Sequence, residues 1–449
     1  MNKDEKSLRI LLDSDSLKSE GAKELTNYPD NDIFEFISLG YSEHHAMTQL
    51  FFNNKSEANR IVIDKSDRAS SYKETTLFGY KISNIKEVAK SIDIKYDDLI
   101  LIYIFKTFLN VSNGKKIILV TERKKLLNRL YWKKSGFPEL PAYSILKPDE
   151  AKIFIDLYCK SLNKYIVAPS CYVNKGLWYL YSLKTKVPNY QKIWSVIVFG
   201  GNSIPLGVDL EETINSLSDR ITDMLVAIDE IGENHYSGVD NDIEDAIIYH
   251  FNYFITLFTG IFDSLAWISK YRYQIKFDMI EKIGLRTNKQ KEFLKLVFTK
   301  NYKIKNFLSK NSSLINLMYS PRDLVIHRKR LKGLYINNVD NNYNLNAVRI
   351  PEDFFVQIVG LSKEKGKSLG KWGHFSLDDN YFLEPYRFVK KITPILFNFV
   401  DEYLDLLDFD EYVRTKPSLK KRLEENSASS SYKNFEKELN IFNKYRLGY

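Results

Sequence analysis

The chain has 449 residues, 44% of them apolar, and a formal net charge of +9. That length calls for more than one domain, and the apolar share supports real cores. Its two cysteines, Cys159 and Cys171, exclude a disulfide framework and offer no zinc spacing, which points to a reducing, cytoplasmic setting.

Met1 to Glu20 alternates charge and lacks the long apolar run of a signal peptide. Within it, Leu8 to Leu12 reads as a short strand followed by Asp13 and Asp15. Asp97 and Asp98 open an apolar helix from Leu99 to Leu109. Asn113-Gly114 turns the chain into Lys116 to Val120, an uninterrupted apolar strand of the kind buried in parallel sheets, and Thr121 and Glu122 follow it directly. Leu126-Leu127 reads as a helix start, and Ile145 to Glu150 as a strand running into a helix at Pro148. This alternation predicts an α/β domain over residues 1–160 with a mostly parallel sheet.

Residues 161–230 form an aromatic-rich connecting region. Between 165 and 205, Tyr172, Trp178, Tyr179, Tyr181, Tyr190 and Trp194 alternate with Lys175, Lys184, Lys186 and Lys192. Interleaved aromatics and lysines suit base stacking and phosphate contacts, but the stronger expectation is strands packed on a core, since Tyr and Trp favour sheets. Gly232, Ser237, Gly238 and several acids place a domain boundary at 229–241.

From there the pattern becomes helical, and residues 235–410 are expected to form an all-α bundle. Residues 240–270 make one long apolar helix; His250, Asn252 and Asp263 in its most apolar window are too polar for a membrane span, so no membrane association is expected. Asn252, Thr256, Thr259 and Asp263 are spaced 4, 3 and 4 apart and share one face. Asn288 to Ser309 reads as a second helix. Ser320-Pro321 reads as a helix start, with Ser320 as N-cap, Pro321 at the first helical position, Asp323 as the capping-box acid and Gly333 as the stop. An Asn-rich stretch at 337–347 reads as irregular, and Glu384-Pro385 opens a long helix to about 408. Residues 411–449 form a charged tail, with 426–431 as a flexible Ser-rich linker.

The hexapeptide Arg322-Asp323-Leu324-Val325-Ile326-His327, followed by Arg328, Lys329, Arg330 and Lys332, carries the clearest chemistry. An arginine grips phosphate with a planar fork of donors, and a histidine moves protons near neutral pH. A surface helix with a basic, solvated face is the bland alternative. Arg322-Asp323-x-x-x-His327 resembles the R-[N/D/H]-x-x-x-H signature of the HEPN superfamily of helical ribonucleases, whose bundles carry a long helix with polar residues turned toward the motif. The resemblance covers residues 235–410. It implies a metal-independent endoribonuclease in which His327 and Arg322 act on the scissile phosphate, with Asp323 and Asp263 as further site residues. Arg328, Lys329, Arg330 and Lys332 would hold RNA. Such proteins work as two-fold dimers, commonly as toxins or anti-phage effectors that cut tRNA or other RNA. A homodimer and an antitoxin or phage trigger are the implied partners.

The N-terminal acids resemble those of PIN-like nucleases, in which carboxylates at the ends of parallel strands hold Mg or Mn. Asp13 follows the first strand, Asp97 or Asp98 opens a helix, and Glu122 ends Leu119-Val120-Thr121-Glu122 where the family has Asp. The implied metal ligands are Asp13, Asp98 and Glu122, with Glu43 a candidate for the remaining acid. Two alternatives to the HEPN reading therefore stand. One is a non-catalytic HEPN-like binding or dimerisation protein. The other is a metal-dependent nuclease acting through the N-terminal acids.

Overall fold

The computed structural model describes residues 8–26, 33–41, 47–52, 62–64, 76–77, 80–111, 116–128, 131–132, 134, 143–168, 171–237, 241–327, 331–338, 343–364 and 372–445. The chain divides into two compact units, one comprising Met1–Tyr172 with Asn337–Asn344 and Leu447–Tyr449, the other Val173–Ile336 with Leu345–Arg446.

Unit 1 is built on a six-stranded sheet. Its strands are β1 (Leu8–Asp13), β2 (Phe34–Tyr41), β3 (Met47–Phe52), β4 (Val62–Asp64), β7 (Ile117–Val120) and β8 (Ile145–Leu146), in the order β4-β3-β2-β1-β7-β8. The short pair β5 (Thr76–Leu77) and β6 (Tyr80–Lys81) lies outside that sheet. β1 runs parallel to β2 and to β7, and β7 parallel to β8, while β3 and β4 add an antiparallel edge. β1 is central, so both faces of its apolar run are covered: Leu8, Ile10, Leu11 and Leu12 are all buried. The register sets Leu12 beside Val120, which brings Asp13 and Thr121 to the same sheet edge.

Helices α1 (Glu20–Thr26), α2 (Ile82–Ser91), α3 (Tyr96–Val111) and α4 (Pro148–Ser161) complete the unit. Leu99, Ile102 and Phe105 of α3 pack with Leu11, Leu119 and Trp132 in one apolar cluster. The expected strand-helix-strand alternation and parallel sheet are thus present. Leu126-Leu127, read as a helix start, lies in a turn over residues 124–127 instead. A two-stranded ribbon of β9 (Tyr165–Ala168) and β10 (Cys171–Val173) follows.

Unit 2 is mainly helical. The aromatic-rich stretch, expected as strands, folds as α5 (Lys175–Lys186) and α6 (Pro188–Gly200). The side chain of Asn174 caps α5 by accepting from Leu177 N at 2.8 Å, and Pro188 opens α6. Trp178, Tyr179, Ser182 and Leu183 recur at helical spacing and are buried, and that periodicity outweighs the sheet preference of the aromatic rings.

Two long helices follow, α7 (Gly207–Ser237) and α8 (Asn241–Arg272), packed along each other as a hairpin. α7 therefore runs through Gly232 to Ser237, where a boundary was expected. α8 is the one described helix long and apolar enough to cross a membrane, and 72% of its apolar window is buried inside the protein. Phe251, Phe254, Phe258 and Phe262 form its buried stripe.

The expected helix at 288–309 is two helices, α9 (Lys291–Lys300) and α10 (Tyr302–Lys310). Asn301 between them adopts an extended backbone and caps α10, its side chain accepting from Lys303 N at 3.0 Å. The motif helix α11 spans Ser312–His327, so the expected start at Ser320-Pro321 is wrong and Pro321 lies inside the helix. Leu314, Ile315, Leu317 and Met318 are buried, and this apolar face carries the helix past the hydrogen bond that proline removes.

The half expected to be all-α also holds a four-stranded sheet. Its strands are β11 (Lys332–Asn338), β12 (Tyr343–Ile350), β13 (His374–Leu377) and β14 (Asn380–Leu383), in the order β11-β12-β14-β13. Gly333, expected as a helix stop, sits in β11, and much of the Asn-rich stretch is strand. α12 (Glu352–Glu364) links the halves of the sheet, and α13 (Pro385–Leu406) returns along α7 and α8, as expected for that segment. The tail is α14 (Asp410–Thr415), α15 (Pro417–Ala428) and α16 (Ser430–Tyr445). The Ser-rich segment is thus a break at Ser429 between two helices, not a linker.

Candidate functional site

Tyr319, Arg322 and Asp323 lie one turn apart on α11. The Tyr319 hydroxyl donates to Asp263 Oδ1 at 3.1 Å, which ties the motif helix to the middle of α8. Burial pushes the Asp263 carboxyl up, against the downward pull of the Tyr319 hydrogen bond and of Arg322, Arg220 and Arg286. Burial also raises the Tyr319 phenol, with the charge of Asp263 adding to it.

Two arginines flank this pair. The Arg286 guanidinium sits 4.5 Å over the Tyr319 ring, and that of Arg322 lies 5.9 Å from it. Asp323 lies between them, 3.8 Å from Arg286 Nη1 and 3.7 Å from Arg322 Nη1. These separations are ion pairs too long for direct hydrogen bonds, so each guanidinium keeps donors for another anion. Arg220 approaches from α7, where a side chain at Gly260 would overlap its Nη1. The result is a partly exposed group of three arginines around one half-buried acid, suited to a phosphate.

Of the polar face expected on α8, only Asp263 reaches this group. Thr256 donates to the carbonyl of Asn252, and Thr259 to those of Ile255 and Thr256, so both bond back to their own helix. Asn252 Oδ1 is buried and accepts no hydrogen bond from the described residues. His327 is the last residue of α11, its side chain outside the described residues, as are Arg328, Lys329 and Arg330. Lys332 is exposed at the start of β11. Arg286, Tyr319 and Arg220 were not anticipated. Tyr319 had a signal, its spacing of three from Arg322; Arg286 lies in an irregular segment and had none.

In unit 1, Asp13 and Asp98 do converge, but around a guanidinium. Arg123 donates through Nε to Asp13 Oδ2 at 2.8 Å, through Nη2 to Asp13 Oδ1 at 3.1 Å, and through Nη1 to Asp98 Oδ1 at 3.2 Å. Thr121 also donates to Asp13, and Tyr131 to Asp98. Both carboxylates are buried, so the pairing offsets their desolvation. Glu122 does not join them. Its carboxylate accepts from the backbone N–H groups of Lys18 and Ser19 before α1, and the Ser19 side chain foremost, with the Lys18 amide, holds its pKa below the usual value. This donor set does not fit a divalent ion: a fixed cation occupies the centre, and among the described residues no three His, Cys, Asp or Glu side chains are grouped to hold one. Glu43 lies outside the described residues.

Comparison with family models, with curated proteins and with solved structures gave no match.

Proposed function

We propose that the chain is a metal-independent endoribonuclease of the HEPN type, with Arg322 and His327 as its catalytic pair. The observation that carries this reading is the setting of Arg322. It lies on one helix with His327, beside a second arginine, near a tyrosine that binds a half-buried acid of the neighbouring helix. Two neighbouring guanidinium groups with donors left over suit the binding of a phosphate.

In this mechanism Arg322 and Arg286 hold the scissile phosphate and neutralise the charge that builds on it. The 2′-hydroxyl attacks phosphorus and the 5′-oxygen leaves. His327 takes the hydroxyl proton or protonates the leaving oxygen. Asp323, between the two guanidinium groups, keeps them apart and oriented, and Asp263 fixes Tyr319 beneath them. Arg328, Lys329, Arg330 and Lys332 hold RNA through its phosphates. The partners are RNA, tRNA among the candidates, and a second copy of the chain whose motif helix completes the cleft. A role as a toxin or anti-phage effector in the cytoplasm, under an antitoxin or phage trigger, follows from the same resemblance. The packing around Asp13 and Asp98 does not favour the metal-dependent alternative.

The chemistry is tested on a short RNA with one 2′-deoxy nucleotide at the cut. Cleavage that leaves a 2′,3′-cyclic phosphate on normal RNA and stops at the deoxy position supports the proposal. Cleavage through the deoxy position, leaving a 3′-hydroxyl, overturns it.

A further inference from the structure

Arg220 stands on α7 where that helix packs along α8. Its Nε donates to Ser216 Oγ, one turn back on α7, at 3.4 Å, and it forms no ion pair with an acid among the described residues. Its guanidinium lies over Gly260, in the interior of α8. An added Cβ at Gly260 would overlap Arg220 Nη1 and stand 3.0 Å from Cζ. Glycine in a helix interior costs stability relative to alanine. At this position the missing side chain leaves a notch, and the guanidinium fills it.

Gly260 and Asp263 are three residues apart on α8 and so share a face. Arg220, passing over Gly260, is on the side of the helix that carries the acid, and its positive charge favours the ionised carboxylate. Arg286 and Arg322 have their own acid, Asp323, between them. Three arginines thus face two carboxylates, and the one positive charge left over matches one phosphodiester.

We infer that Arg220 is a positioning residue of the phosphate site: laid in the Gly260 notch, it is the counter-charge of Asp263 and leaves Arg286 and Arg322 to the phosphate. It acts through space on Asp263, and through the Asp263–Tyr319 hydrogen bond on the seat of Arg322. The inference rests on the ribonuclease proposal for what the site does to a phosphate. The link between Arg220 and Asp263 is measured without it.

The test follows the Asp263 side-chain carboxyl against pH by carbon NMR of the full-length chain, its signal assigned with Asp263→Asn. The groups acting on this carboxyl are Tyr319 and Arg322 from α11, Arg286 from the segment before α9, and Arg220 from α7. Arg220→Met should raise the midpoint by about half a pH unit or more, the size of one unit charge acting across several ångströms at a partly exposed site. Arg220→Lys, which keeps the charge, should recover most of that shift. Gly260→Ala, whose methyl group displaces the guanidinium while favouring the helix, should shift the midpoint in the same direction as Arg220→Met. A midpoint unmoved in Arg220→Met and Gly260→Ala, or moved as far in Arg220→Lys as in Arg220→Met, overturns the inference. In RNA cleavage Arg220→Met should lower kcat by about tenfold and leave KM within about twofold. A raised KM with kcat unchanged would make Arg220 a direct phosphate ligand and overturn the positioning role. A shifted midpoint in a protein that cuts no RNA sinks the nuclease proposal and leaves the link between Arg220 and Asp263 standing.

Discussion

The hydroxyl of Tyr319 donates to Asp263 Oδ1 at 3.1 Å, joining the motif helix to the 32-residue helix α8. Through that hydrogen bond the acid reaches Arg322 indirectly, as the base on which the arginine's aromatic neighbour is fixed.

Removing this hydrogen bond should therefore act on stability and on activity. Tyr319→Phe leaves the half-buried Asp263 without this donor, a cost of about 1 kcal/mol. Cleavage should fall by about tenfold through misplacement of Arg322, far less than loss of the proton-transfer group. A double-mutant cycle with Asp263→Asn in urea unfolding checks the coupling. Strictly additive losses would show that the two side chains act independently.

Arg123→Met tests the acid pair of unit 1. The change leaves Asp13 and Asp98 buried and unpaired, and removing one partner of a buried ion pair costs about 3–5 kcal/mol. The melting temperature of the wild-type protein should not rise with added Mg or Mn, because Arg123 already holds the position between the carboxylates. A rise of several degrees with metal would restore the reading of Asp13 and Asp98 as ligands.

The stability of unit 2 should depend on pH through Glu384 and His235, whose Oε1 and Nδ1 lie 3.7 Å apart. Burial raises Glu384 to about 7, opposed by Arg387, while burial, Arg387 and Lys390 lower His235 to about 3. For Glu384 the folded state binds the extra proton, so its contribution is full below about 4.5 and is lost as pH rises to about 7. For His235 the unfolded state binds it, so stability is lost as pH falls from about 6.5 to about 3. The two slopes oppose each other between about 4.5 and 6.5. Glu384→Gln should remove the alkaline loss, worth at most about 3 kcal/mol, and leave a stability that only rises with pH over this window. Chemical unfolding at several pH values checks it; an unchanged profile in the variant contradicts the assignment.

Replacing Arg328, Lys329, Arg330 and Lys332 with serine should weaken RNA binding at low salt and flatten its salt dependence. For a single strand, each phosphate that no longer meets a cation should lower the slope of log K against log salt by about 0.7. An unchanged slope would mean that these four cations do not touch RNA.

Much of the fold was legible where a single periodicity ran uninterrupted. Ile117 to Val120 and Leu8 to Leu12 are continuous apolar runs, and they became central parallel strands. Residues 241–272 and 385–406 carry long apolar faces, and each folds as one helix. The errors arose where a local signal met a stronger tertiary one. Pro321 reads as a start, yet Leu314 to Met318 bury a face that begins the helix well before it, at Ser312, with Pro321 in its interior. The four strands between 332 and 383 pair across long separations that local periodicity does not record. Of the residues grouped around Tyr319, Arg322 was singled out in the sequence through its hexapeptide and Asp263 through its place on a polar helix face. Arg286 was not, because only the tertiary fold lays residues 286 and 319 against each other.

The central claim is tested most directly by incubating total cellular RNA with the purified protein in EDTA, beside His327→Ala and Arg322→Ala. The account predicts cleavage in EDTA that both variants lose, by about 100- to 10,000-fold for the histidine, with folding unchanged by circular dichroism. Cleavage that requires added manganese and persists in His327→Ala would contradict it.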